Sequence, residues 1–268
     1  MKTFISDKNC KLSIYLSNVY PELSYGNFRK LLRNKDIKIN GKRVKEDVNI
    51  CIGDEVVVYF AKEKEKQLYS VIYEDKNVLV VNKSAGITSD SLFEKLSENI
   101  ELYYIHRLDR NTSGIIIFAK NKISEELLIN GFKNRLFKKY YLATVYGKMP
   151  KQSDILTAYL VKDENENKVR IYDNKVKGSV QIITKYKVMQ VNGSTSLLEI
   201  ELVTGKMHQI RAHLAYVGHF IIGDGKYGVE SVNKANKVDK QMLQAYKLTL
   251  FFEENTQLSY LNNKTFTI

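Results

Sequence analysis

One acidic side chain stands among basic ones in the segment 106–120, which reads His-Arg-Leu-Asp-Arg-Asn-Thr-Ser-Gly-Ile-Ile-Ile-Phe-Ala-Lys. Asp109 lies between Arg107 and Arg110, and a Thr-Ser-Gly turn leads from it into an apolar strand. A carboxylate in such a setting can serve as a nucleophile or as a base. Taken alone, however, a structural ion pair is the commoner arrangement, so other segments must decide.

Three closely spaced histidines, His208, His213 and His219, raise the question of a metal site, with Asp224 further on. On a helix, the first two would point about 140° from one another, whereas a shared ion favours a spacing of four. Arg211 between them would also repel a cation. The sequence contains no Walker loop, no Gly-rich dinucleotide fingerprint and no Gly-x-Ser-x-Gly elbow. We therefore expect a reaction without metal or cofactor.

Composition favours a polyanionic partner. The 268 residues include 42 Lys and Arg against 30 Asp and Glu, a net charge of +12, which attracts phosphodiester backbones first and acidic membranes second. The alternative is a lysine-rich composition that only keeps the protein soluble. The two cysteines predict neither a disulfide framework nor a zinc motif. Without a signal-peptide core or an apolar run of eighteen residues, we expect a soluble cytoplasmic protein outside the membrane, and a monomer by default.

The first sixty residues predict a helix pair and a small hairpin. Helical spacing indicates a first helix that Pro21 ends, and Ser24 is placed to cap a second. A strand at Ile37–Ile39 precedes Asn40-Gly41, the strongest short hairpin signal, and another strand is predicted at Val56–Tyr59. The inner side of the helices consists of apolar residues: Leu12, Tyr15, Leu16, Val19, Phe28, Leu31 and Leu32.

Residues 25–45 carry eight basic side chains against a single acid, Asp36. This helix pair and hairpin with a basic surface resembles the S-four RNA-binding domain, a module named after a ribosomal protein. The alternative is a solvated cationic helix face. The resemblance implies contacts with RNA phosphates, which give affinity without sequence choice. The residues expected to make them are Arg29, Lys30, Arg33, Lys42 and Arg43.

Alternating charge without an apolar anchor from Ala61 to Gln67 predicts a linker between a domain at 1–62 and a second at 68–268. In the second domain, Ser91 and Glu94 are expected to form the capping box of a short helix. Strands dominate without regular βαβ alternation, which predicts a mixed α+β fold. Strands are expected at 71–73, 78–81, 115–119, 139–146, 179–190, 195–203 and 246–252, and helices at 123–136 and 207–217.

Three further segments accompany the one that holds Asp109: Lys83–Ile87, Lys139–Gly147 and Thr204–His213, the last leading to Gly218-His219 and Ile222–Asp224. In this order, the four segments resemble the RluA-type RNA pseudouridine synthases. The His-Arg-Leu-Asp-x-x-Thr-Ser-Gly motif of that family is met by residues 106–114 without a departure. The resemblance implies a pseudouridine synthase fold with a largely antiparallel mixed sheet, and an S-four domain is a frequent companion in that family.

Four positions depart from the usual pattern of the family. Ser84 stands where proline is usual, Phe220 stands where proline often follows the histidine, and Gln244 occupies a place often held by histidine. Lys206 replaces an arginine and lacks the bidentate fork with which arginine binds phosphate. None of the four departures removes a catalytic group.

The resemblance implies an isomerase that converts uridine in RNA to pseudouridine without a cofactor. The glycosidic bond to nitrogen breaks, the uracil turns, and it rejoins the sugar through its fifth carbon. Asp109 is implied as the carboxylate that attacks the sugar or assists abstraction of a sugar proton. Arg211 is implied as the cationic partner that keeps it ionised, and a capping or surface arginine is the alternative.

The other assignments concern the base and the RNA. The target nucleotide must be flipped out of its stack, which costs a few kcal/mol. Arg107 resembles the arginine that fills the space left by the flipped nucleotide. Tyr141 resembles the tyrosine that stacks on the uracil and can remove the proton from its fifth carbon, although a phenol is a poor base at neutrality. His106 is expected to orient RNA or to be structural. Thr112, Ser113 and Gly114 are expected to shape the turn that aims Asp109.

Relatives with this architecture imply large-subunit ribosomal RNA as the substrate, with transfer RNA as the alternative. One rival hypothesis is a non-catalytic RNA-binding or ribosome-assembly factor on the same scaffold. A weaker rival is a glycosidase-like hydrolase, which normally needs two carboxylates. Asp109 has no obvious sequence partner for that chemistry.

Overall fold

The computed structural model describes residues 1–60, 67–163 and 166–268. The chain divides into two compact units, Met1–Lys66 and Gln67–Ile268. The linker predicted at Ala61–Gln67 lies, apart from its last residue, outside the described residues. None of the helices in the described part of the chain combines the length and the apolar character that a membrane crossing requires.

The N-terminal unit contains the predicted helix pair and hairpin. Its strands form a four-stranded antiparallel sheet in the order β1-β6-β3-β4, and β2 pairs with β5. The elements are β1 (Lys2–Ile5), β2 (Cys10–Lys11), α1 (Leu12–Val19), α2 (Tyr25–Arg33), β3 (Ile37–Ile39), β4 (Lys42–Val44), β5 (Asn49–Ile50) and β6 (Glu55–Val58).

Local sequence explains these elements. The Ser24 side chain accepts a hydrogen bond from the backbone N–H of Asn27 and caps α2, as predicted. Asn40 and Gly41 have φ angles of 48° and 78°, which fit the tight hairpin turn that needs positive φ at both positions. The apolar sides of both helices pack on the sheet in one core that includes Leu16, Phe28, Leu32 and Val56.

The second unit is built on one large, mostly antiparallel sheet. The elements are β7 (Tyr69–Glu74), β8 (Val78–Lys83), α3 (Ser89–Ser97), β9 (Tyr103–Tyr104), β10 (Ser113–Ala119), α4 (Lys122–Lys133), β11 (Lys138–Tyr146), β12 (Ser153–Asp163), β13 (Lys168–Tyr172), β14 (Val180–Asn192), β15 (Thr195–Leu202), α5 (Gln209–Tyr216), α6 (Glu230–Ala235), β16 (Leu243–Thr249), a 3-10 helix (Ser259–Leu261) and β17 (Thr265–Thr267). The strand order is β13-β12-β14-β15-β11-β16-β10-β8-β7, with β17 beside β16 and β9 beside β10. Strands β10 and β16 pair in parallel, so the predicted α+β class with a mixed sheet is confirmed.

Strands β8 and β10 lie in the middle of this layered structure and are buried on both faces. Alternate residues of β10, such as Ile115 and Ile117, pack with Leu128 of α4. The intervening Ile116 and Phe118 pack against α3 on the other face. Burial on both sides explains the unbroken apolar run of the strand. The run makes β10 a rigid support for the loop that precedes it.

Several predicted boundaries were wrong. The capping box at Ser91 and Glu94 does not form, because Thr88 caps α3 by accepting the Ser91 N–H at 3.1 Å. The last predicted strand, 246–252, is instead Leu243–Thr249, since Leu250 and Phe252 continue the apolar run as core residues beyond the strand. Strands β12 and β13 were not predicted. Helix α5 begins only after His208.

Candidate active site

The loop before β10 holds Asp109. The backbone N–H of Thr112 donates to the Asp109 carbonyl at 3.0 Å, and the Thr112 hydroxyl accepts from Gln241 Nε2 at 2.6 Å. Gly114 has a φ of 122°, and a Cβ at this position would lie 2.2 Å from the carbonyl oxygen of Ala245. Only glycine therefore allows β10 and β16 to approach here. The Thr-Ser-Gly turn fixes where the aspartate stands.

A fully buried lysine, Lys83, fastens the same loop from the other side. Its Nζ donates to the carbonyl oxygens of Ser84, Ile87 and Arg110 at 3.1, 2.9 and 3.2 Å. Burial lowers the pKa of Lys83 to about 8, against the opposing effect of the Asp109 charge. The segment Lys83–Ile87 therefore stabilises the loop that holds Asp109, because Lys83 binds the carbonyl of Arg110, the residue that follows Asp109.

Arg211 on α5 joins two carboxylates. Its Nη1 donates to Asp109 Oδ2 at 2.7 Å, while Nε and Nη2 donate to Oδ2 and Oδ1 of Asp224 at 2.7 and 2.9 Å. Burial disfavours the charged guanidinium, but the carboxylates outweigh it and raise the pKa of Arg211. The predicted pairing of Asp109 with Arg211 is therefore present, and Asp224 holds the arginine in place.

Asp224 is itself fixed. Its side chain has 0% exposure, and its Oδ1 also accepts the backbone N–H groups of Lys226 and Tyr227 at 2.8 and 3.1 Å. Burial works to raise the pKa of Asp224, yet the bonds from Arg211 and these backbone groups prevail and lower it. One carboxylate is thus sealed, whereas the Asp109 side chain keeps 25% exposure. Only the second can meet a ligand.

His208 faces the other oxygen of Asp109. Its Nε2 lies 3.9 Å from Asp109 Oδ1, and its Nδ1 lies 3.0 Å from the hydroxyl of Tyr227, which accepts the Val169 N–H at 2.9 Å. The residue adopts a left-handed φ of 52°. Burial lowers the pKa of His208 and outweighs the opposing effect of Asp109. A neutral imidazole therefore stands beside the catalytic candidate.

Tyr141 forms part of the wall above Asp109. It lies on β11 with 9% exposure, at a bulge where the pairing of β11 with β16 shifts register between Tyr140 and Tyr141. Burial first, and then the Asp109 charge, raise the pKa of Tyr141. The phenol is therefore held in its neutral form, which suits a stacking surface better than a base.

Asp109, Tyr141, His208 and Arg211 line one cavity of about 970 Å³, the active-site cavity of this candidate site. A volume of this size is in the range of small-ligand sites. The cavity brings together all five residues predicted in the second unit: Asp109, Tyr141, Arg211, Arg107 and His106. Of the described residues lining it, Asp109 is the only acid. The cationic side chains that line the cavity are Arg107, Lys133, Arg135, Lys139, Lys162, Lys206 and Arg211.

The two predicted RNA contacts at this cavity differ. Arg107 is exposed, with its Nη2 4.0 Å from Asp90 Oδ2. His106 instead accepts the Ile117 N–H on Nε2 at 3.2 Å and stacks on Phe132 at 4.4 Å between ring centroids. Burial and the charge of Lys139 lower the pKa of His106 to about 3. The structure thus favours the structural alternative for His106.

The other predicted RNA contacts belong to the N-terminal unit. Arg29, Lys30 and Arg33 are exposed on α2, and Lys42 and Arg43 are exposed on β4. Arg43 Nη1 donates to the Lys35 carbonyl at 2.7 Å. All five are therefore exposed side chains of the N-terminal unit.

The other two histidines have their own separate contacts. His213 is buried with Nδ1 3.0 Å from the hydroxyl of Thr184, and His219 has Nδ1 3.0 Å from the Tyr146 carbonyl oxygen. Sequence reasoning weighed Asp224 as a metal ligand and placed it in the Ile222–Asp224 segment of the family resemblance, but it missed the pairing with Arg211. The sequence signal available was the Gly223-Asp224 pair. In the structure, the Lys240 backbone lies so close to Gly223 that there is no room for a Cβ, so the glycine is required next to this aspartate.

Comparison with known proteins identifies the class. The sequence model of the RNA pseudouridylate synthase family matches residues 77–216, a stretch that includes Asp109, Tyr141 and Arg211. The chain belongs to this family, which confirms the resemblance to the RluA type. Its members are isomerases, so the expected enzyme class is confirmed as well.

Individual relatives agree. The chain is 31% identical over 270 residues to ribosomal large subunit pseudouridine synthase C of Rickettsia bellii, covering 85% of each chain. It is 34% identical over 227 residues to an uncharacterized RNA pseudouridine synthase of Mycoplasma genitalium, covering 76% of this chain and 73% of the other. The solved structure of human RNA pseudouridylate synthase domain containing 1 matches with a TM-score of 0.61 and 25% identity, over 70% of this chain and 79% of that one.

Proposed function

We propose that this pseudouridine synthase isomerises uridines in large-subunit ribosomal RNA, with Asp109 as the catalytic carboxylate. The observation that carries the proposal is the chain of contacts from Asp224 through Arg211 to Asp109, which ends in the one acid of the described cavity lining. The name of the Rickettsia bellii relative supports ribosomal RNA as the substrate. Transfer RNA is the competing substrate.

The geometry suits a reaction that starts from an ionised carboxylate. Arg211 holds Asp109 Oδ2, so a negative charge is stabilised at the partly exposed end of the network. From there the carboxylate attacks the first carbon of the ribose or takes a proton from its second carbon. Either path releases uracil as an anion, which turns and forms a bond from its fifth carbon to the ribose. In the first path this bond displaces the Asp109 carboxylate from the ribose, and in the second path Asp109 returns its proton to the second carbon. The proton on the fifth carbon is then lost to solvent, and the nitrogen that left the ribose takes up a proton from solvent.

The remaining cavity residues receive roles in handling the base. The neutral ring of Tyr141 stacks on the uracil during its turn. Arg107, exposed at the cavity, fills the gap that the flipped nucleotide leaves in the RNA. Both roles require the nucleotide to leave its stack, so we expect targets in loops, where flipping costs least.

We also propose that the N-terminal unit is an S-four-type domain that binds RNA phosphates. The helix pair and hairpin support this proposal, and the five predicted contacts are exposed: Arg29, Lys30, Arg33, Lys42 and Arg43. Such contacts supply affinity without reading bases.

The test follows the lost proton. RNA labelled with tritium at the fifth carbon of uracil should release tritium with the wild-type protein and not with Asp109→Asn. Asp154→Asn is the matched control, since this carboxylate is held by Lys151 in an exposed pair, and it should behave as wild type. Equal release by wild type and Asp109→Asn would remove Asp109 from the mechanism. Absence of release by wild type would favour the non-catalytic factor, and free uracil would favour a hydrolase.

A further inference from the structure

We infer that Lys139 and Arg135, in the wall of the active-site cavity, form a phosphate site for the phosphodiester next to the nucleotide that enters beside Asp109. The inference rests on the proposed function, and it adds a defined anion site outside the network of Asp109, Arg211 and Asp224. The ligand is a phosphodiester of the substrate RNA.

Position is the first argument. Lys139 lies on β11 two residues before Tyr141, and both line the cavity. A Cβ built on Gly205 would lie 3.2 Å from Lys139 Nζ, and this Nζ lies 5.8 Å from the ring centroid of Phe132. The ammonium group therefore stands between β11 and the loop at 204–206, against a residue without a side chain. Because Lys139 and Gly205 both line the cavity, an anion in the cavity can reach the ammonium group.

Charge is the second argument. Within the described ranges, no carboxylate lies within 4.0 Å of the charged groups of Lys139 or Arg135. The single acid of the described lining, Asp109, is already bound by Arg211. Burial, and then the charge of Arg135, lower the pKa of Lys139. Two neighbouring cations in a partly desolvated wall are unfavourable unless an anion offsets them.

The third argument is that the connection from α4 to β11 is rigid. A Cβ on Gly131 would lie 2.0 Å from the Phe137 ring, so the helix end and the strand start pack closely. Arg135 has a left-handed φ of 59°, and its N–H donates to the Phe132 carbonyl at 3.2 Å. The backbone thus fixes where both cations begin. Little ordering is left for binding, which favours affinity.

The pairing of side-chain types also fits phosphate. A guanidinium can bind two phosphate oxygens at once, and an ammonium adds a compact charge. An unpaired nucleotide carries one phosphodiester on each side, so one of them must lie near the wall of any pocket that accepts the base. The cavity offers that phosphate an arginine and a lysine which no carboxylate of the described residues holds.

The experiment measures tritium release from labelled large-subunit ribosomal RNA at several KCl concentrations. In Lys139→Gln and Arg135→Gln, we expect KM to rise about tenfold with kcat within about twofold, and the slope of log(kcat/KM) against log salt to fall by roughly 0.7 to 0.9. Lys139→Arg keeps the charge and should keep the slope. The matched control is Lys138→Gln, because Lys138 is adjacent on β11 but lies over the Phe251 ring, at 5.5 Å. It should match wild type.

Each outcome decides the matter. Unchanged KM and salt slope in both glutamine variants would overturn the inference, as would an equal effect in Lys138→Gln. A fall in kcat with an unchanged slope would indicate a distorted cavity instead of a lost phosphate contact. Thermal unfolding identifies a misfolded variant, and the exposed Arg135 then carries the test. If wild type releases no tritium, the proposed function fails, and the same slopes are measured on equilibrium binding of the RNA.

Discussion

The two units use positive charge in opposite ways. In the N-terminal unit, Arg29, Lys30 and Arg33 are exposed on one helix. Each of them can therefore be substituted without displacing a packed neighbour. In the second unit, Arg211 makes three hydrogen bonds to two carboxylates and is 7% exposed. Exposed charge sets how tightly a polyanion is held. In the proposed function, the fixed charge of Arg211 sets the position and ionisation of the reacting carboxylate.

The largest expected effect is at the fixed charge. Asp224→Asn removes the buried carboxylate that orients Arg211 and leaves the guanidinium with Asp109 alone, which should lower the free energy of unfolding by about 3 kcal/mol. Because Asp109 depends on the same arginine, we expect kcat to fall at least about 100-fold. Tritium release and urea unfolding measure the two quantities. Wild-type kcat in a folded Asp224→Asn protein would show that the fixed network is not needed.

The next effect concerns stability at acid pH. All four histidines lie in the second unit, so a loss of stability through buried histidines is expected in that unit and not in the N-terminal one. Burial lowers the pKa of His213 to about 4 from 6.5. Between these pH values His213 is protonated in the unfolded chain but not in the folded protein, so the free energy of unfolding falls as pH drops from 6.5 to 4. The loss amounts to about 3 kcal/mol.

His213→Gln should therefore flatten the dependence of unfolding free energy on pH in this range, as measured by urea unfolding at several pH values. His219→Gln is the control, because it also removes one imidazole but a partly exposed one, and it should leave the dependence as in wild type. An unchanged dependence in His213→Gln would contradict the prediction. Acid sensitivity that survives in the variant is expected from His106, whose pKa burial lowers to about 3, and from His208, whose pKa burial also lowers.

The smallest effect is expected at the exposed charges. Arg33→Gln should raise KM about threefold, leave kcat unchanged and reduce the salt slope by roughly 0.7 to 0.9. Arg29→Gln and Lys30→Gln should do the same, and Lys8→Gln, exposed in the same unit but outside the 25–45 segment, should do nothing. If one of these three substitutions alone abolished activity, that side chain would have a defined position in the way that Arg211 has, and the contrast between the two units would not hold.

Sequence reasoning succeeded where the signal is local. The cap at Ser24, the Asn40-Gly41 turn and the doubly buried strand β10 each depend on neighbours in the chain, so spacing and residue type were sufficient. The pairing of Asp109 with Arg211 was predicted through the family resemblance. Its geometry, at 2.7 Å, comes from the packing of α5 beside the loop.

What failed depends on contacts between distant segments. The role of Asp224 requires α5 and the turn after it to meet, which no periodicity records. Lys83 reads as the polar end of a strand, yet it is fully buried because three carbonyl oxygens from two segments surround its ammonium group. The true extent of β16 was missed for a similar reason, because Leu250 and Phe252 belong to the core beyond the strand. The cap at Thr88 is a local contact with Ser91, and it was missed because Ser91 was assigned as the cap.

The parallel pairing of β10 with β16 has a consequence for how the enzyme is made. Gly114 aligns with Ala245, and Thr112 is bonded by Gln241, so the loop is closed by a strand that the ribosome adds long after the loop itself. A nascent chain that stops short of β16 already contains Asp109, Tyr141, Arg211 and Asp224, but the sheet that sets the loop is still missing its neighbour. We therefore expect the Asp109 loop to reach its final arrangement only after β16 has been synthesised.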